Sequence, residues 1–240
     1  MMPSIKDDRG FNQGFKPSRA LEIRTSRRCN FIDSQIIKRK SIDILEIGCG
    51  TGDLAYLLAN KTGQKVYGTD LCSPFIEEAQ KKYATDNLEF AILDFNDVEN
   101  NEYFHDKKFD YIVGNGILHH LYHDLDETLK NLNFLLKKDG KIIFLEPNII
   151  NPYCLFIFKT KLGRKLANLE PAEMAFTKKF ITEKLASSKF SEISVQHKDF
   201  LLPVTPGFLI KLVILLGRVL ENIPLLNKLS QSIYITARKV

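Results

Sequence analysis

The stretch that decides the fold is IDILEIGCGTG, residues 42–52. Its apolar first half is typical of a buried parallel strand, and it runs directly into a turn that contains Gly48, Gly50 and Gly52. Glycines let a backbone turn tightly and approach a ligand closely. Residues Asp53–Asn60 then fit a helix, whose first N–H groups lack partners within the helix. The stretch therefore predicts a strand, a ligand-binding turn and a helix.

Strand-like and helix-like segments continue to alternate to about residue 146. This alternation builds a parallel sheet with helices on both faces, and ligands bind beyond the carboxyl ends of its strands, where the strand order reverses. The predicted strands are Ile42–Ile47, Val66–Asp70, Leu88–Leu93, Phe109–Val113 and Lys141–Leu145, and the predicted helices are Asp53–Asn60, Pro74–Tyr83 and Leu125–Lys137. We therefore expect a doubly wound α/β domain.

The two ends of the chain depart from this alternation. Later residues predict a helix over Phe180–Ser187 and strands over Phe190–Gln196 and Ser232–Ala237. Two further segments, at about 147–176 and 199–230, are interpreted as insertions that form a helical cap. We expect an N-terminal lid segment at 1–40 and a main domain over 41–240 that carries both insertions.

The bulk composition excludes several classes of protein. A net charge of +5 over 240 residues is spread along the chain without a compact basic arm, so we expect no nucleic-acid partner. The four cysteines lie far apart and form no C-x-x-C pair, which argues against a metal site or a disulfide framework. The polar first residues lack a signal-peptide core, and the longest apolar run, Phe208–Leu216, is too short to span a bilayer. We therefore expect a cytoplasmic protein.

Two aspartates follow predicted strands at the binding edge. Asp70 ends the second strand, where a carboxylate can accept hydrogen bonds from the hydroxyls of a ribose. Asp94 follows the third strand, where a carboxylate can bind the exocyclic amine of adenine. The alternative roles are a turn or helix cap for Asp70 and a solvated loop residue for Asp94. The pair indicates an adenosine-type ligand, and the ribose site suits NAD equally well.

Three motifs occur together in a known order and spacing: LEIGCGTGDLA at 45–55, FDYIVGNGILHHL at 109–121 and KKDGKIIFLEPN at 137–148. On these motifs the chain resembles the class I S-adenosylmethionine-dependent methyltransferases, in particular the small-molecule enzymes that include ubiquinone-biosynthesis methyltransferases. The resemblance covers roughly Ile42 to Leu145. It implies a Rossmann-like fold with a seven-stranded, mostly parallel sheet and an inserted helical cap, and S-adenosyl-L-methionine as the cofactor.

The resemblance also assigns individual cofactor-binding residues. The glycine turn would line the methionine part of the cofactor, Asp70 would bind the ribose, and Asn115 would lie beside the methionine moiety. The residues that fall on the family's cofactor positions are Glu46, Gly48, Cys49, Gly50, Gly52, Asp70, Leu71, Asp94, Phe95 and Asn115.

Candidate acceptor-side residues follow the fourth and fifth strands. His119 and His120 are candidate catalytic bases, because an imidazole can take a proton from a hydroxyl acceptor near neutral pH. Packing in the wall of the site is the alternative role for either histidine. Glu146 and Asn148 are candidates for binding a polar acceptor, and a structural role in the turn at Pro147 is the alternative.

The N-terminal segment and the two insertions supply further candidates. Phe15, Arg19 and Arg24 precede the main domain, and an arginine from such a lid suits pairing with the cofactor carboxylate. The favoured alternative is an arginine that is merely solvated. The apolar runs within Pro152–Lys165 and Phe208–Asn222 favour burial in an acceptor cap. The alternative is a lipid-like acceptor or a peripheral membrane contact, since basic residues adjoin both runs.

We expect methyl transfer from S-adenosylmethionine to a small-molecule acceptor, with a lipid-like or amphipathic acceptor among the options. Two alternatives remain, an NAD-dependent oxidoreductase and a non-catalytic module that binds S-adenosylmethionine. The run Gly114–Ile117 lacks the Asn-Pro-Pro-Tyr pattern of enzymes that methylate the amino groups of DNA bases, so we do not expect DNA as the acceptor. The acceptor atom and the oligomeric state stay open at this point.

Overall fold

The strands of the alternating region lie within a few residues of their expected positions. Residues 17–37, 39 and 41–240 are described, in a computed structural model. β5 is longer than expected, because residues on both sides of Asp139–Gly140 pair with the preceding strand. The strands are β1 (Asp43–Ile47), β2 (Lys65–Asp70), β3 (Leu88–Ile92), β4 (Phe109–Asn115), β5 (Leu136–Pro147), β6 (Phe190–Lys198) and β7 (Ser232–Lys239).

The strands form one seven-stranded sheet in the order β3-β2-β1-β4-β5-β7-β6. All neighbouring pairs are parallel except those of β7, which runs antiparallel to both β5 and β6. The strand order reverses between β1 and β4, so a crevice for a ligand lies beyond the carboxyl ends of these two strands. The predicted doubly wound, mostly parallel fold is confirmed.

Helices cover both faces of the sheet. The core on one face includes Leu129 and Leu185, and the core on the other includes Ile32, Leu58 and Ile76. The helices are α1 (Arg19–Gln35), α2 (Asp53–Thr62), α3 (Ser73–Lys82), α4 (Leu125–Leu135), α5 (Pro152–Lys159), α6 (Lys161–Ala167), α7 (Lys178–Ser187) and α8 (Ile210–Leu220), with short 3-10 helices at Phe95–Asn100, Gly207–Leu209 and Leu226–Leu229.

Helix α1 is an element that the sequence pattern did not predict. Its buried positions include Cys29 and Ile32, which pack into the core, but also two arginines, Arg24 and Arg28. Buried arginines interrupt the apolar spacing by which an amphipathic helix is recognised. Residues 19–35 of the expected lid segment therefore form a helix that packs against the sheet. Residues 1–16, including Phe15, lie outside the described residues.

The expected burial of the Phe208–Asn222 run is wrong. Only Ile210 and Gly217 of α8 are buried, and Leu215 is 60% exposed. The physical reason is that α8 lies at the edge of the fold. Only one side of the helix packs against other residues, among them Leu201 and Ala20, so the other side stays exposed. Within the described residues, we find no helix with the length and hydrophobicity that a membrane span requires.

We predict that all four cysteines resist alkylation in the native protein. All are buried, and burial raises the pKa of the Cys29 and Cys154 thiols to about 11, so little reactive thiolate forms. Iodoacetamide at pH 8, followed by intact-mass spectrometry, should add no label to the folded chain and four labels after denaturation. Rapid labelling of the folded chain would contradict the burial of these cysteines.

Candidate active site

The turn after β1 is held in place from β2. Gly48, Gly50 and Gly52 all have positive φ values, of 64°, 53° and 81°, which side-chain-bearing residues adopt only at a cost. The backbone N–H of Gly50 donates to Asp70 Oδ2 at 2.8 Å, and the N–H of Cys49 donates to the Thr69 carbonyl at 2.8 Å. Asp70 therefore sets the shape of the glycine turn.

The side chain of Asp70 also supports the next turn. Its Oδ1 accepts from the N–H of Cys72 at 2.9 Å, just before α3 begins. The suggested turn-forming role of Asp70 is thus present in the structure. It is compatible with ligand binding, because each carboxylate oxygen can accept more than one hydrogen bond.

The buried carboxyl group of Glu46 indicates which kind of ligand fits this crevice. Its side chain is fully buried, and burial, followed by the nearby Asp53 and Asp70, raises the pKa of its carboxyl group well above the usual value. Its Oε2 atom has no hydrogen-bond partner among the described residues. A buried polar atom without a partner is costly, so a ligand that donates a hydrogen bond there is favoured.

The space above the turn is open at the same place. A Cβ atom added at Gly50 would meet no atom within 4 Å, whereas one at Gly48 would lie 2.5 Å from Ile117. The glycine turn therefore packs on one side and presents free backbone on the other. Together with Glu46, this open side fits a small ligand with a cationic or hydrogen-bond-donating group.

The remaining adenosine-side candidates cluster at the ends of β2 and β3. The N–H of Leu93 donates to the Asp70 carbonyl at 3.0 Å and so joins these two strand ends. Leu71 is half exposed at this edge, while Phe95 is buried and its carbonyl accepts from Asn131 at 2.8 Å. Asp94 Oδ1 caps the following 3-10 helix by accepting from the N–H of Asn96.

Asn115 is bound by an arginine that sequence analysis missed. Arg28 Nη1 donates to Asn115 Oδ1, and Arg28 Nη2 donates to Ser232 Oγ at 2.7 Å. The guanidinium thus joins the end of β4 to the start of β7, and its Nε has no partner among the described residues. The four-residue spacing between Arg24 and Arg28 on α1 was the available signal.

The arginines proposed from the sequence have other roles. Arg24 is buried, donates to the Leu201 carbonyl and, at 2.7 Å, to Gln231, and lies 3.6 Å from Asp199. Burial, with the nearby charge of Arg28, lowers the pKa of Arg24 to about 10. Arg19 is exposed and pairs with Glu22 on its own helix. Both arginines are thus engaged by groups of the protein, and pairing of either with a cofactor carboxylate stays a prediction.

Glu146 and His119 form the best-ordered polar pair at the acceptor side. Glu146 is fully buried at the end of β5, and its Oε1 accepts from the N–H groups of Ile117 and Leu118 at 3.0 and 2.9 Å. Its Oε2 lies 2.9 Å from His119 Nδ1. A carboxylate accepts a hydrogen bond here, so Nδ1 carries the proton and the lone pair of neutral His119 is on Nε2.

A second carboxylate lies on the other side of this histidine. Glu173 lies 3.6 Å from His119 Nε2 and 3.5 Å from His120 Nδ1, and burial raises the pKa of its carboxyl group. The ligand atoms of the three side chains lie within 4.8 Å of one another, a spacing that a metal ion could also use. The ring of Phe158 packs edge-on against His119 at 5.7 Å. The first insertion thus supplies one wall of the histidine site.

Glu146 and Asn148 do not face the crevice as binding groups, so that expectation is wrong. Both are fully buried. Glu146 accepts hydrogen bonds from the backbone N–H groups of residues 117–119 and from the His119 ring. Asn148 Nδ2 donates to the carbonyls of Lys228 and Ser230, each at 2.8 Å. The sequence shows only that these residues follow a strand. The folded structure is needed to show that their polar groups already have hydrogen-bond partners.

Comparison with known proteins bears on residues 45–142, which match the family model described as a methyltransferase domain. A malonyl-[acyl-carrier protein] O-methyltransferase of Acetivibrio thermocellus is 33% identical over 44% of this chain and 36% of that protein. The lovastatin nonaketide synthase mokA of Monascus pilosus is 36% identical over 45% of this chain and 4% of that protein. A solved S-adenosylmethionine-dependent methyltransferase from Archaeoglobus fulgidus shares the fold, with a TM-score of 0.62, 18% identity and coverage of 91% and 94% of the two chains.

Residues 45–142 therefore match a methyltransferase domain, which confirms the resemblance seen in the sequence over this part of the chain. The matched part spans about a third of the first relative's length and a small fraction of the second's.

We predict that Gly50→Ala weakens binding of S-adenosylhomocysteine about tenfold or more, because the new methyl group enters the open space above the turn. Gly63→Ala is the matched control. Gly63 also has a positive φ, of 66°, with no atom within 4 Å of an added Cβ, but it lies at the far end of α2. Both variants should lose about 1 kcal/mol of stability. Equal affinities by calorimetric titration would place the ligand elsewhere.

Proposed function

We propose that this protein transfers the methyl group of S-adenosylmethionine to a small-molecule acceptor that gives up a proton during the reaction. The observation that carries the proposal is the His119 imidazole, fixed through Nδ1 by the buried Glu146 beside the crevice. A histidine oriented in this way by a carboxylate is suited to general-base catalysis.

The cofactor half of the proposal uses residues at the ends of β1 to β4. When bound, S-adenosylmethionine supplies an activated methyl group on a sulfonium. Glu46 would bind its amino group, the Gly48–Gly52 turn would line its methionine part, with Cys49 in that turn, and Asp70 would accept from the ribose hydroxyls. Leu71, Asp94 and Phe95 would surround the adenine. Asn115, held by Arg28, would lie beside the methionine carboxylate.

The acceptor half of the proposal uses His119 as the base. The acceptor's O–H or acidic C–H proton moves to His119 Nε2 while the acceptor atom attacks the methyl carbon in line with the leaving sulfur. The buried carboxylate of Glu146 stabilises the imidazolium that forms. His120 is the weaker candidate, because it is more exposed and because its carboxylate neighbour Glu173 lies 3.5 Å away, whereas Glu146 lies 2.9 Å from His119 Nδ1.

The acceptor class follows from the base and from the first insertion. A carboxylate acceptor needs no base, whereas an alcohol, a phenol or a carbon acid beside a carbonyl does. The names of the two relatives refer to a malonyl group on an acyl-carrier protein in one and to a nonaketide in the other. We infer an acyl-type acceptor with an acidic proton, enclosed by the first insertion, whose Phe158 packs against His119. We also infer a peripheral contact of the protein with a membrane, on the exposed apolar side of α8.

We predict that S-adenosylhomocysteine stabilises the protein and NAD does not. At a ligand concentration of 100 times Kd the stabilisation is about 2.7 kcal/mol, which raises Tm by roughly 5–10 °C in a chain of this size. Thermal unfolding followed by circular dichroism measures both ligands directly. Stabilisation by NAD alone would favour the oxidoreductase alternative and overturn the proposal.

We predict that His119→Ala lowers kcat about 100- to 10,000-fold, the range expected for loss of a general base, and leaves the affinity for S-adenosylhomocysteine unchanged. The assay offers a β-ketoacyl thioester, a phenol and a fatty acid to the wild type. His123→Ala is the control, since His123 is exposed on the same loop. A loss of this size in His120→Ala, with full activity in His119→Ala, would assign the base to His120 instead.

The same assay tests the non-catalytic alternative. Saturable binding of S-adenosylhomocysteine without transfer to any acceptor in the panel would favour a binding module. Transfer to the fatty acid alone, unaffected by His119→Ala, would refute the base and indicate a carboxylate acceptor.

A further inference from the structure

Two segments of the chain expose more apolar surface than a solvated helix needs. On α8 and the turn before it, Phe208, Leu212, Leu215, Leu216 and Val219 are 51–84% exposed. Their spacing of three, four, seven and eight residues places them on one side of the helix. Single exposed apolar residues are ordinary, but a contiguous group marks an interaction surface.

The insertion after β5 exposes a second apolar group of the same kind. Leu162 and Leu166, one turn apart on α6, are 60% and 71% exposed, and Leu155 and Phe156 of α5 are nearly half exposed. Their neighbours Cys154 and Phe158 are buried, so the insertion has its own packed interior. The exposed residues are therefore a surface of a folded element.

The fold attaches both segments to the same edge of the sheet. The last residue of β5, Pro147, pairs with Ser232, the first residue of β7. Asn151, the N-cap of α5, donates from Nδ2 to the Leu229 carbonyl at 2.6 Å. We use the term docking face for the exposed side chains of residues 150–166 and 204–229.

The charges on the docking face have one sign. Its exposed charged residues are Lys159, Lys161, Lys165, Lys211, Arg218 and Lys228. None of them forms an ion pair with a described acidic residue. Glu221, the one acidic residue in the two ranges, is turned inward and pairs with Lys198 at 3.1 Å. The face thus combines large apolar side chains with unneutralised positive charge.

We propose that the docking face binds the surface of a lipid bilayer that carries anionic headgroups. An amphipathic helix with basic residues beside its apolar side lies in the plane of the interface, where apolar side chains enter the acyl boundary and the bases meet headgroup phosphates. In a two-fold contact between copies the same basic residues would face one another, which disfavours a dimer. This proposal deepens the membrane contact inferred above and names its residues and lipid class, but docking requires no methyl transfer.

Vesicle co-sedimentation of the full chain tests the proposal. Vesicles of phosphatidylcholine with 30% phosphatidylglycerol should bind the protein, vesicles of phosphatidylcholine alone should bind it weakly, and 0.5 M salt should release most of it. Lys161→Gln/Lys165→Gln should lower the partition coefficient at least about tenfold. Its charge-matched control, Lys81→Gln/Lys138→Gln, removes two exposed lysines away from the docking face and should bind like the wild type.

The apolar part of the face needs its own variant. Leu215→Gln/Leu216→Gln should abolish binding, whereas Ile37→Gln/Val240→Gln changes two exposed apolar residues at the opposite edge and should not. Circular dichroism and S-adenosylhomocysteine affinity report whether each variant is folded.

Three results would overturn the proposal: no binding of the wild type to anionic vesicles, equal losses in the control variants, or a dimer in sedimentation velocity that Leu215→Gln/Leu216→Gln dissociates without any vesicle binding. None of these results depends on catalysis, so failure of the docking proposal leaves the proposed methyl transfer untouched.

Discussion

The buried carboxylate of Glu146 is the constraint on which the acceptor side depends. It lies at the end of β5, accepts hydrogen bonds from the backbone after β4, and orients the His119 ring. A carboxylate without such partners would be very costly in this fully buried position, so the loop and the ring stay where they can donate to it. The order of the loop and the tautomer of the histidine therefore have one physical cause.

The cofactor side is organised by a different carboxylate, that of Asp70. Asp70 accepts from the backbone of the glycine turn and holds it in conformations with positive φ. Glu46, near the end of β1, has a carboxyl oxygen that no described residue satisfies. A buried polar group without a partner is tolerated where a ligand compensates for it, and Glu46 lies at the strand end that faces the crevice.

Sequence patterns predicted the sheet well and the surroundings less well. Buried parallel strands such as Ile42–Ile47 are apolar runs that end in glycine, and this signal is local. Helix α1 was missed because its buried face includes Arg24 and Arg28, whose hydrogen-bond partners are 87 or more residues away. Burial of α8 was wrongly expected because it too depends on distant parts of the chain. The composition of a helix does not show whether another element covers it. Cofactor contacts and the catalytic histidine stay predictions.

The antiparallel β7 has an evolutionary consequence. Because it returns along β5, both insertions start and finish at one edge of the sheet. Their lengths and compositions can change without shifting the pairing of any strand, provided that Glu146, Asn148 and Asn151 keep their anchoring hydrogen bonds. Selection can therefore exchange one acceptor for another in these two segments while the half of the fold that ends at β4 is inherited intact.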